Sequence, residues 1–269
     1  MKSAPAISCV IPVFNGKRDL KRAVASVLAQ RPDVQVVLVD DGSTDGTTEH
    51  VMELARGDDR VLTVVLPESR GQGNARNIGV AAATSAYVTF LDQDDEHVPG
   101  WYDYAIGVLD ANPHYAAIKG GVELAEVPPE FNFLGPADPR MRAITGSAMW
   151  NVVVRKIAYQ LLGGCPARRQ MAEDIAFVAV LRDHFTLVET DYPSTQHYVR
   201  PDSSTGYFLG RTRVEGKRFV YLEAVRSERE GTIEKQLAEF QAQADTNVST
   251  LRATLKPDGK ADPEAQGNP

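Results

Sequence analysis

Cysteine, basic charge and long hydrophobic runs are all scarce in this sequence, and each scarcity excludes a class of protein. The chain of 269 residues has only 2 cysteines, Cys9 and Cys165, which is too few for a disulfide scaffold, and we expect both to be reduced, half-buried thiols. It has 29 Lys and Arg residues against 36 Asp and Glu residues, a net charge of −7, whereas nucleic-acid-binding proteins usually carry a basic face. No apolar run approaches the roughly 20 residues that a membrane span requires, and the N-terminus does not resemble a signal peptide. We therefore expect a cytoplasmic protein that binds no nucleic acid and at most contacts the inner face of a membrane peripherally.

The first part of the sequence has instead a regular alternation of apolar strand-like runs and helix-like segments. Because the apolar runs are hydrophobic at nearly every position, they suit a parallel sheet that helices cover on both faces. The alternation predicts an α/β fold with a mostly parallel central sheet flanked by helices. The predicted strands are Ile7–Val13, Val34–Val39, Val61–Leu66 and Tyr87–Leu91, and the predicted helices are Lys17–Gln30, Thr47–Arg56 and Asn74–Thr84.

The alternation becomes less regular after Pro99, and we interpret this part as a continuation of the same sheet. One domain is therefore predicted over residues 1–230, with halves at about 1–98 and 99–230. The glycine pair Gly163-Gly164 is expected to break the chain before a helix. The predicted elements are a helix over Pro99–Ala111, a strand over Ala116–Leu124, an apolar run over Ala143–Val154, a helix from about Glu173 and a strand over Thr186–Thr190.

The C-terminal part has a different pattern. Apolar residues recur at three- and four-residue steps from Ile233 to Leu255, which predicts an amphipathic helix over residues 231–256. Two interpretations stay open: the helix packs on its own domain, or it forms a homodimer through 233–255. Residues 257–269 are polar and rich in Pro and Gly, which predicts a disordered tail.

Acidic residues cluster where two of the predicted parallel strands end. Asp41 follows the second strand, and four acids at Asp92, Asp94, Asp95 and Glu96 follow the fourth. Ligands of such sheets bind beyond the carboxyl ends of the strands. A helix cap would account for Asp95 or Glu96, but not for Asp92 and Asp94 together. Alternating carboxylates suit a hard divalent cation that bridges to substrate phosphates.

Five motifs in this order resemble the inverting family 2 glycosyltransferases of the GT-A fold. They are PVFN, VDDGSTDGT, GNARNIGV, FLDQDD and AED, and the resemblance runs from about Ile7 to about Ser204. It implies a Rossmann-like nucleotide-binding half over 1–98, an acceptor half over 99–230 and a C-terminal helical extension. It also implies a hexosyltransferase-type activity (EC 2.4). A sugar would move from a nucleotide-sugar, typically a UDP-sugar, to a hydroxyl of a glycan or lipid-linked acceptor with inversion, in bacterial polysaccharide or glycan biosynthesis.

The resemblance further implies a role for individual residues. Asp174 matches the catalytic base, and its neighbour Glu173 is the alternative. Asp94 matches the ligand of a divalent cation, Mn²⁺ or Mg²⁺, and Asp92 the acid near the ribose and diphosphate. The remaining nucleotide-binding positions are Pro12, Val13 and Asn15 at the base and ribose, Asp41 at the base and Arg76 as a basic residue at the nucleotide.

The sequence departs from the family where related enzymes place a further metal-binding histidine, in a segment of the type YRxHxxS. Arg200 stands at the histidine position, and His197 lies three residues earlier. Two alternatives stay open: Arg200 grips the diphosphate, since a guanidinium suits phosphate, or His197 still binds the metal. Trp101, Trp150 and Tyr198 are candidates for stacking on an acceptor sugar, although the apolar run around Trp150 favours core packing.

Other functions fit the sequence less well. An inactive nucleotide-sugar-binding or scaffold protein of the same fold is the main alternative, because of the departure at Arg200. A HAD-type phosphohydrolase also has a strand ending in DxD, but Glu96 stands where that family has Thr or Val, and three strands precede the motif here. A Rossmann dehydrogenase is disfavoured because Gly71-Gln72-Gly73 lacks the third glycine and follows the third strand.

Overall fold

The computed structural model describes residues 4–126, 148–166, 173–200, 212–215, 218–221 and 238–250. Its strands are β1 Ile7–Val13, β2 Val34–Asp40, β3 Val61–Val65, β4 Tyr87–Phe90, β5 Glu96–His97, β6 Tyr115–Ala125, β7 Val152–Arg155, β8 Thr186–Tyr198, β9 Thr212–Glu215 and β10 Arg218–Tyr221. Its helices are α1 Leu20–Leu28, α2 Thr47–Gly57, α3 Gln72–Ala82, α4 Trp101–Ala111, α5 Lys156–Leu161 and α6 Glu173–His184. Residues 238–250 form a further helical segment.

Eight of the described strands form one mixed sheet in the order β3-β2-β1-β4-β7-β6-β8-β5. The strands β3, β2, β1 and β4 pair in parallel, as expected for strands joined by helical crossovers. The strand β7 is antiparallel to both of its neighbours, β4 and β6. The strands β9 and β10 form a separate antiparallel pair. Both halves of the predicted domain therefore contribute to one sheet.

Helices cover both faces of this sheet, and successive residues of each central strand feed two different cores. In β1, Val10 belongs to the core that contains residues of α3 and α6, whereas Cys9 and Ile11 belong to the core that contains residues of α1 and α4. This alternation follows from the period of two along a strand. It explains why the strand is apolar at nearly every position, as a strand buried on both faces must be.

The predicted strands and helices of the first half are confirmed, with differences at their ends. The helix predicted over Lys17–Gln30 is shorter, Leu20–Leu28. The backbone N–H groups of Gly16 and Lys17 donate instead to Thr47 Oγ1, both at 3.1 Å. Lys17, the first residue of the predicted helix, and Gly16 before it thus join two loops instead of starting a helix.

The second half differs more from the expectation. The strand predicted over Thr186–Thr190 extends to Tyr198, because it pairs with β6 along its length and with β5 at its end. The apolar run Ala143–Val154 contains β7 at its end, and residues 143–147 lie outside the described part. Gly163 and Gly164 break the chain as predicted, with φ of 87° and 84°, a region that favours glycine.

The helical segment 238–250 packs on its own domain. Ala244 and Val248 are buried in the core beside α6, and Phe240 packs against the same cluster. His184 at the end of α6 lies 3.2 Å from the carboxylate of Asp245. For these residues the structure shows the first of the two interpretations. The rest of 231–256 and the tail 257–269 lie outside the described residues.

Candidate active site

Three loops meet where β1, β2 and β4 end, and we call segments 14–17, 41–46 and 92–95 the carboxyl edge. The backbone N–H of Asn15 donates to Ser43 Oγ at 3.0 Å, and Asn15 Oδ1 accepts from the Thr44 N–H at 2.9 Å. Gln93 bonds both backbone groups of Phe14, at 3.0 and 3.2 Å. These bonds hold the three loops together as one surface.

The PVFN segment contributes mainly its last two residues to this surface. Pro12 and Val13 are buried within β1, where the Val13 carbonyl accepts from the Asp41 N–H at 2.8 Å. Asn15 has a φ of 48°, which is uncommon for a residue other than glycine and turns the chain sharply. The ring of Phe14 is 47% exposed beside it. Contacts of these residues with a nucleotide stay a prediction.

Asp41 is 4% exposed and is bonded to the chain before α3. Its Oδ1 accepts from the Arg70 N–H at 2.7 Å, and its Oδ2 accepts from Ser69 Oγ at 2.7 Å and from the Gly71 N–H at 2.9 Å. These bonds hold the start of α3 against the carboxyl edge. The predicted bond from Asp41 to a base remains a prediction.

Two of the four acids after β4 have structural partners. The fully buried Asp95 accepts from His197 Nδ1 at 2.9 Å and from the Tyr198 N–H at 3.0 Å. Glu96 accepts from the Tyr198 hydroxyl at 2.6 Å. The expectation that one of them caps the following helix is wrong, because Gly100 is the N-cap of α4 and no side chain bonds to that end. Both acids instead fasten the end of β8 to the carboxyl edge.

Asp94 lies in an electrostatically unfavourable place for a carboxylate. Burial, together with the negative charges of Asp95 and Asp92, raises the pKa of Asp94 to about 7. Arg200 Nη1 lies 4.0 Å from Asp94 Oδ2 and donates to Asp19 Oδ2 at 2.6 Å. The structure therefore brings the predicted residues Asp94 and Arg200 together.

His197 lies next to this acidic group. Its ring is 6% exposed and stacks on Trp150 with centroids 4.9 Å apart. Burial disfavours the charged ring, but Asp95, Asp94 and Asp92 outweigh it, so the pKa of His197 is raised. Its second nitrogen, Nε2, is buried and has no hydrogen-bond partner in the described chain. In the same residues, no group of three or more His, Cys, Asp or Glu side chains is arranged to hold a metal ion.

Arg76 joins α3 to two other parts of the site. It is 2% exposed, Nη1 donates to Glu173 Oε1 at 2.7 Å, and Nη2 donates to Asp92 Oδ1 at 3.1 Å. Gln72 Nε2 donates to the same Asp92 oxygen at 2.9 Å. Burial raises the pKa of Asp92, against the opposing effect of the Arg76 charge. The predicted basic residue thus lies between carboxylates.

Asp174 is the second residue of α6, directly after Glu173. Its Oδ1 accepts from the Ile175 N–H at 2.8 Å. Burial and the adjacent Glu173 raise the pKa of Asp174 to about 6, and Arg76 acts in the opposite direction. A carboxylate with such a pKa is ionised for the most part at pH 7 and is well matched to accept a proton.

The three aromatic candidates have other partners. Trp101 is fully buried, so the expectation that it stacks on an acceptor sugar is wrong. Trp150 is 4% exposed and packs on His197, as the apolar run indicated. The ring of Tyr198 is covered by the Arg22 guanidinium, 3.6 Å from the ring centroid.

Sequence reasoning did not select Arg22 and Asp19, which lie at the start of α1. Arg22 Nη2 donates to the Asp94 carbonyl at 2.7 Å, and Arg22 Nε lies 3.0 Å from Glu96 Oε1. Their sequence positions could have indicated them. Opposite charges three residues apart, a spacing at which side chains on a helix interact, begin the helix that follows the first strand. Such pairs are also common on solvated surfaces, so the signal is weak.

Sequence comparisons with known proteins point to glycosyltransferases. A sequence profile described as glycosyl transferase family 2 matches residues 8–145. An uncharacterized glycosyltransferase of Haemophilus influenzae is 24% identical over 200 residues, covering 74% of this chain and 59% of that protein. TuaG of Bacillus subtilis, whose name places it in teichuronic acid biosynthesis, is 38% identical over 93 residues, covering 34% of this chain and 37% of that protein. This chain thus spans less than two thirds of the length of these relatives.

Solved structures show a similar fold. The structure of S. aureus TarS in complex with UDP matches with a TM-score of 0.59 and 19% identity, covering 94% of this chain and 76% of that chain. A complex of TarS with UDP-GlcNAc matches with a TM-score of 0.60 and 17% identity, over the same shares of the two chains. In the described residues, no helix has both the length and the apolar character needed to cross a bilayer.

Proposed function

The chain belongs to glycosyl transferase family 2, and on that premise we propose that it transfers a sugar from a UDP-sugar to an acceptor hydroxyl with inversion. The observation that carries the proposal is the arrangement around Arg76, which links Asp92 after β4 to the start of α6, where Asp174 lies. A donor-binding carboxylate and a candidate base are thereby held near each other. An inverting displacement needs this combination, because the acceptor must attack opposite to the leaving nucleotide.

The nucleotide binds at the carboxyl edge. Phe14 and Asn15 are exposed there, beside loops that the bonds from Asn15 and Gln93 hold together. Open α/β sheets bind their ligands at this position. The TarS complexes with UDP and UDP-GlcNAc support uracil as the base. Asp41, whose oxygens bond to residues 69–71, lies at this edge and is the residue proposed to recognise the base.

Asp94 and His197 would hold a divalent cation, Mn²⁺ or Mg²⁺. Their chemistry fits such an ion, because the buried His197 Nε2 lacks a partner among the described residues and Nδ1 is fixed by Asp95. A carboxylate on the far nitrogen is the usual support of a metal-binding histidine. Mg²⁺ is commonly bound by one or two carboxylates together with substrate phosphates, so a third side chain is not required. When bound, the ion would neutralise charge on the departing diphosphate.

Asp174 acts as the general base of the transfer. It accepts the proton of the acceptor hydroxyl, the acceptor oxygen bonds to the anomeric carbon, and the bond from that carbon to the diphosphate oxygen breaks. UDP leaves on the opposite face, so the configuration inverts. Arg200, close to Asp94, adds positive charge for the diphosphate.

The acceptor is proposed to be a glycan or lipid-linked glycan of a bacterial polysaccharide pathway, and the transferred group a hexose-type sugar. TuaG supports this setting by its name. A relative from Campylobacter jejuni, named as a glucosyltransferase that acts on an undecaprenol-linked glycan, is 33% identical over 120 residues, covering 43% of this chain and 38% of that protein.

The test is calorimetric titration of the protein with UDP, GDP and dTDP, with and without Mn²⁺. We expect UDP to bind more tightly than the other two, and Mn²⁺ to strengthen its binding. Asp94→Ala should lose the effect of Mn²⁺, whereas Asp191→Ala, which removes an exposed carboxylate of β8, should keep it. Absence of binding by all three nucleotides would refute the proposed function as an active enzyme and favour a scaffold. If the unchanged protein bound UDP equally tightly with and without Mn²⁺, the metal site would be refuted. Arg200 would then be the cation that binds the diphosphate.

A further inference from the structure

Arg76 is an almost completely buried positive charge at the site. It is 2% exposed, and its two terminal nitrogens bind Glu173 at 2.7 Å and Asp92 at 3.1 Å. Its Nε is buried and has no hydrogen-bond partner in the described residues. A guanidinium so enclosed presents almost no surface to a ligand. A planar guanidinium whose two terminal nitrogens bond to two different carboxylates fixes their relative position, which a point charge would not do.

The start of α6 lies directly against α3. A Cβ atom built on Gly73 would lie 2.1 Å from the Pro166 carbonyl oxygen and 3.2 Å from Glu173 Cγ. Asn77, one helical turn further, accepts from the Cys165 N–H at 2.7 Å and donates to the Cys165 carbonyl at 2.7 Å. These contacts place the segment before α6 on α3. Arg76 supplies the ion pair that orients the first residue of α6 itself.

We propose that Arg76 is a positioning residue that acts through Glu173, fixing the start of α6 and with it Asp174 relative to the donor-binding carboxylate Asp92. This role differs from the nucleotide contact that the family resemblance implies for Arg76. The inference rests on the proposed function for the role of Asp174 as the base. It makes Glu173 a partner of the base and not a second base.

The charges around Asp174 give the proposal an observable consequence. Glu173 faces it on its own helix, Arg76 from α3, Asp92 from the loop after β4, Cys165 from the segment before α6, and Lys119 from β6. Burial, Glu173 and Asp92 raise the pKa of the Asp174 carboxyl, and Arg76 lowers it. Removing Arg76 should therefore raise the pKa of Asp174, and removing the charge of Glu173 should lower it.

The first experiment follows the Asp174 carboxyl carbon by NMR during a pH titration, in the full chain without ligand. The signal is assigned by its loss in Asp174→Asn. We expect the pKa of Asp174 to rise in Arg76→Gln and to fall in Glu173→Gln. The proposal would be overturned if the pKa of Asp174 did not change in either variant, or if it changed in the same direction in both. If Arg76→Gln fails to fold, as circular dichroism would reveal, Arg76→Lys and Glu173→Gln provide the test. The pKa of Asp174 should then stay near that of the unchanged protein in Arg76→Lys and should fall in Glu173→Gln.

The second experiment separates positioning from nucleotide binding. In Arg76→Lys we expect kcat to fall roughly 100-fold, since a lysine cannot hold two carboxylates in place and small displacements at a reacting centre cost about this much. The dissociation constant for UDP should stay within about threefold of the original, because Gln72 still bonds the donor-binding Asp92 in this variant. A large loss of UDP affinity with kcat preserved would show a nucleotide contact and overturn the proposal. If the unchanged protein neither binds UDP nor transfers a sugar, the proposed function fails, and the NMR titration still tests the link between Arg76, Glu173 and Asp174.

Discussion

At the scale of single residues, neighbouring carboxylates of one short segment have different partners. Asp95 and Glu96 are bonded to the end of β8, so their charges are used in the fold. Asp92 and Asp94 point toward the site, and their pKa values are raised because burial leaves their negative charge incompletely balanced. A site that accumulates such charge is suited to a cation.

The pKa of Asp174 gives a prediction at the same scale. A base must be ionised, and a pKa of about 6 in the ligand-free protein means that kcat/KM should fall as the pH drops through 6, roughly tenfold for each further pH unit. Above pH 7 kcat/KM should level off. Asp174→Asn should keep UDP binding and lose transfer by at least ~100-fold.

Steady-state transfer to a glycan acceptor, measured from pH 4.5 to 8.5, checks this prediction. Asp183→Asn, at the exposed far end of the same helix, is the matched control and should behave like the unchanged protein. Near-normal transfer by Asp174→Asn would refute its role as the base.

At the scale of elements, the site depends on how closely α3 approaches the segment before α6. That approach is possible because Gly73 has no side chain where the Pro166 carbonyl and Glu173 lie. The same face of α3 carries Arg76, one turn along the helix. The helix is built from small residues and one buried arginine. This composition favours contact with a distant part of the chain over high helix propensity.

Two glycine substitutions test this contact. Gly73→Ala should lower the free energy of unfolding by about 1–3 kcal/mol, because the new methyl group overlaps a backbone carbonyl. Gly107→Ala, in α4 with open space around the added atom, should raise it by roughly 0.5–1 kcal/mol through helix propensity. Urea unfolding of both variants measures the difference. Equal effects of the two substitutions would contradict the close approach of the two segments.

At the scale of the whole molecule, one sheet and two cores include parts from nearly the entire described chain. The strand β7 inserts between β4 and β6, and β5 pairs with the end of β8. The helical segment 238–250 adds Ala244 and Val248 to the core beside α6. Ala244 and Val248 therefore pack within the chain's own core.

This arrangement predicts the effect of a charged residue at a buried apolar position of the helical segment 238–250. Ala244→Glu should lower the free energy of unfolding by roughly 2–4 kcal/mol, because it buries a carboxylate without a partner. Ala242→Glu, two residues away and exposed, should change it little. Chemical unfolding and sedimentation of both variants check this, with the oligomeric state expected to be the same in both. If Ala244→Glu instead converted a dimer to a monomer of unchanged stability, the apolar positions of this segment would form a subunit interface.

The sequence by itself determined the local elements and the family. Apolar periodicity is a local property, so the strands and helices of the first half could be identified with errors only at their ends, where loop contacts such as those of Thr47 compete with the helix. The motif series likewise indicated the family that the sequence profile shows over residues 8–145. It also selected Asp92, Asp94, Arg76 and Asp174, which the structure gathers in one region.

Only the tertiary structure decided which of these residues are partners. Arg76 and Glu173 are 97 positions apart, Asp95 and His197 are 102 apart, and Asp19 and Arg200 are 181 apart. No local pattern encodes such pairs, because a charged residue has many opposite charges along the chain and burial selects one of them. For the same reason the sequence alone left two interpretations open for the apolar positions of the C-terminal segment. The folded sheet and its helices create the core beside α6 that buries Ala244 and Val248, and a homodimer through 233–255 stays a prediction.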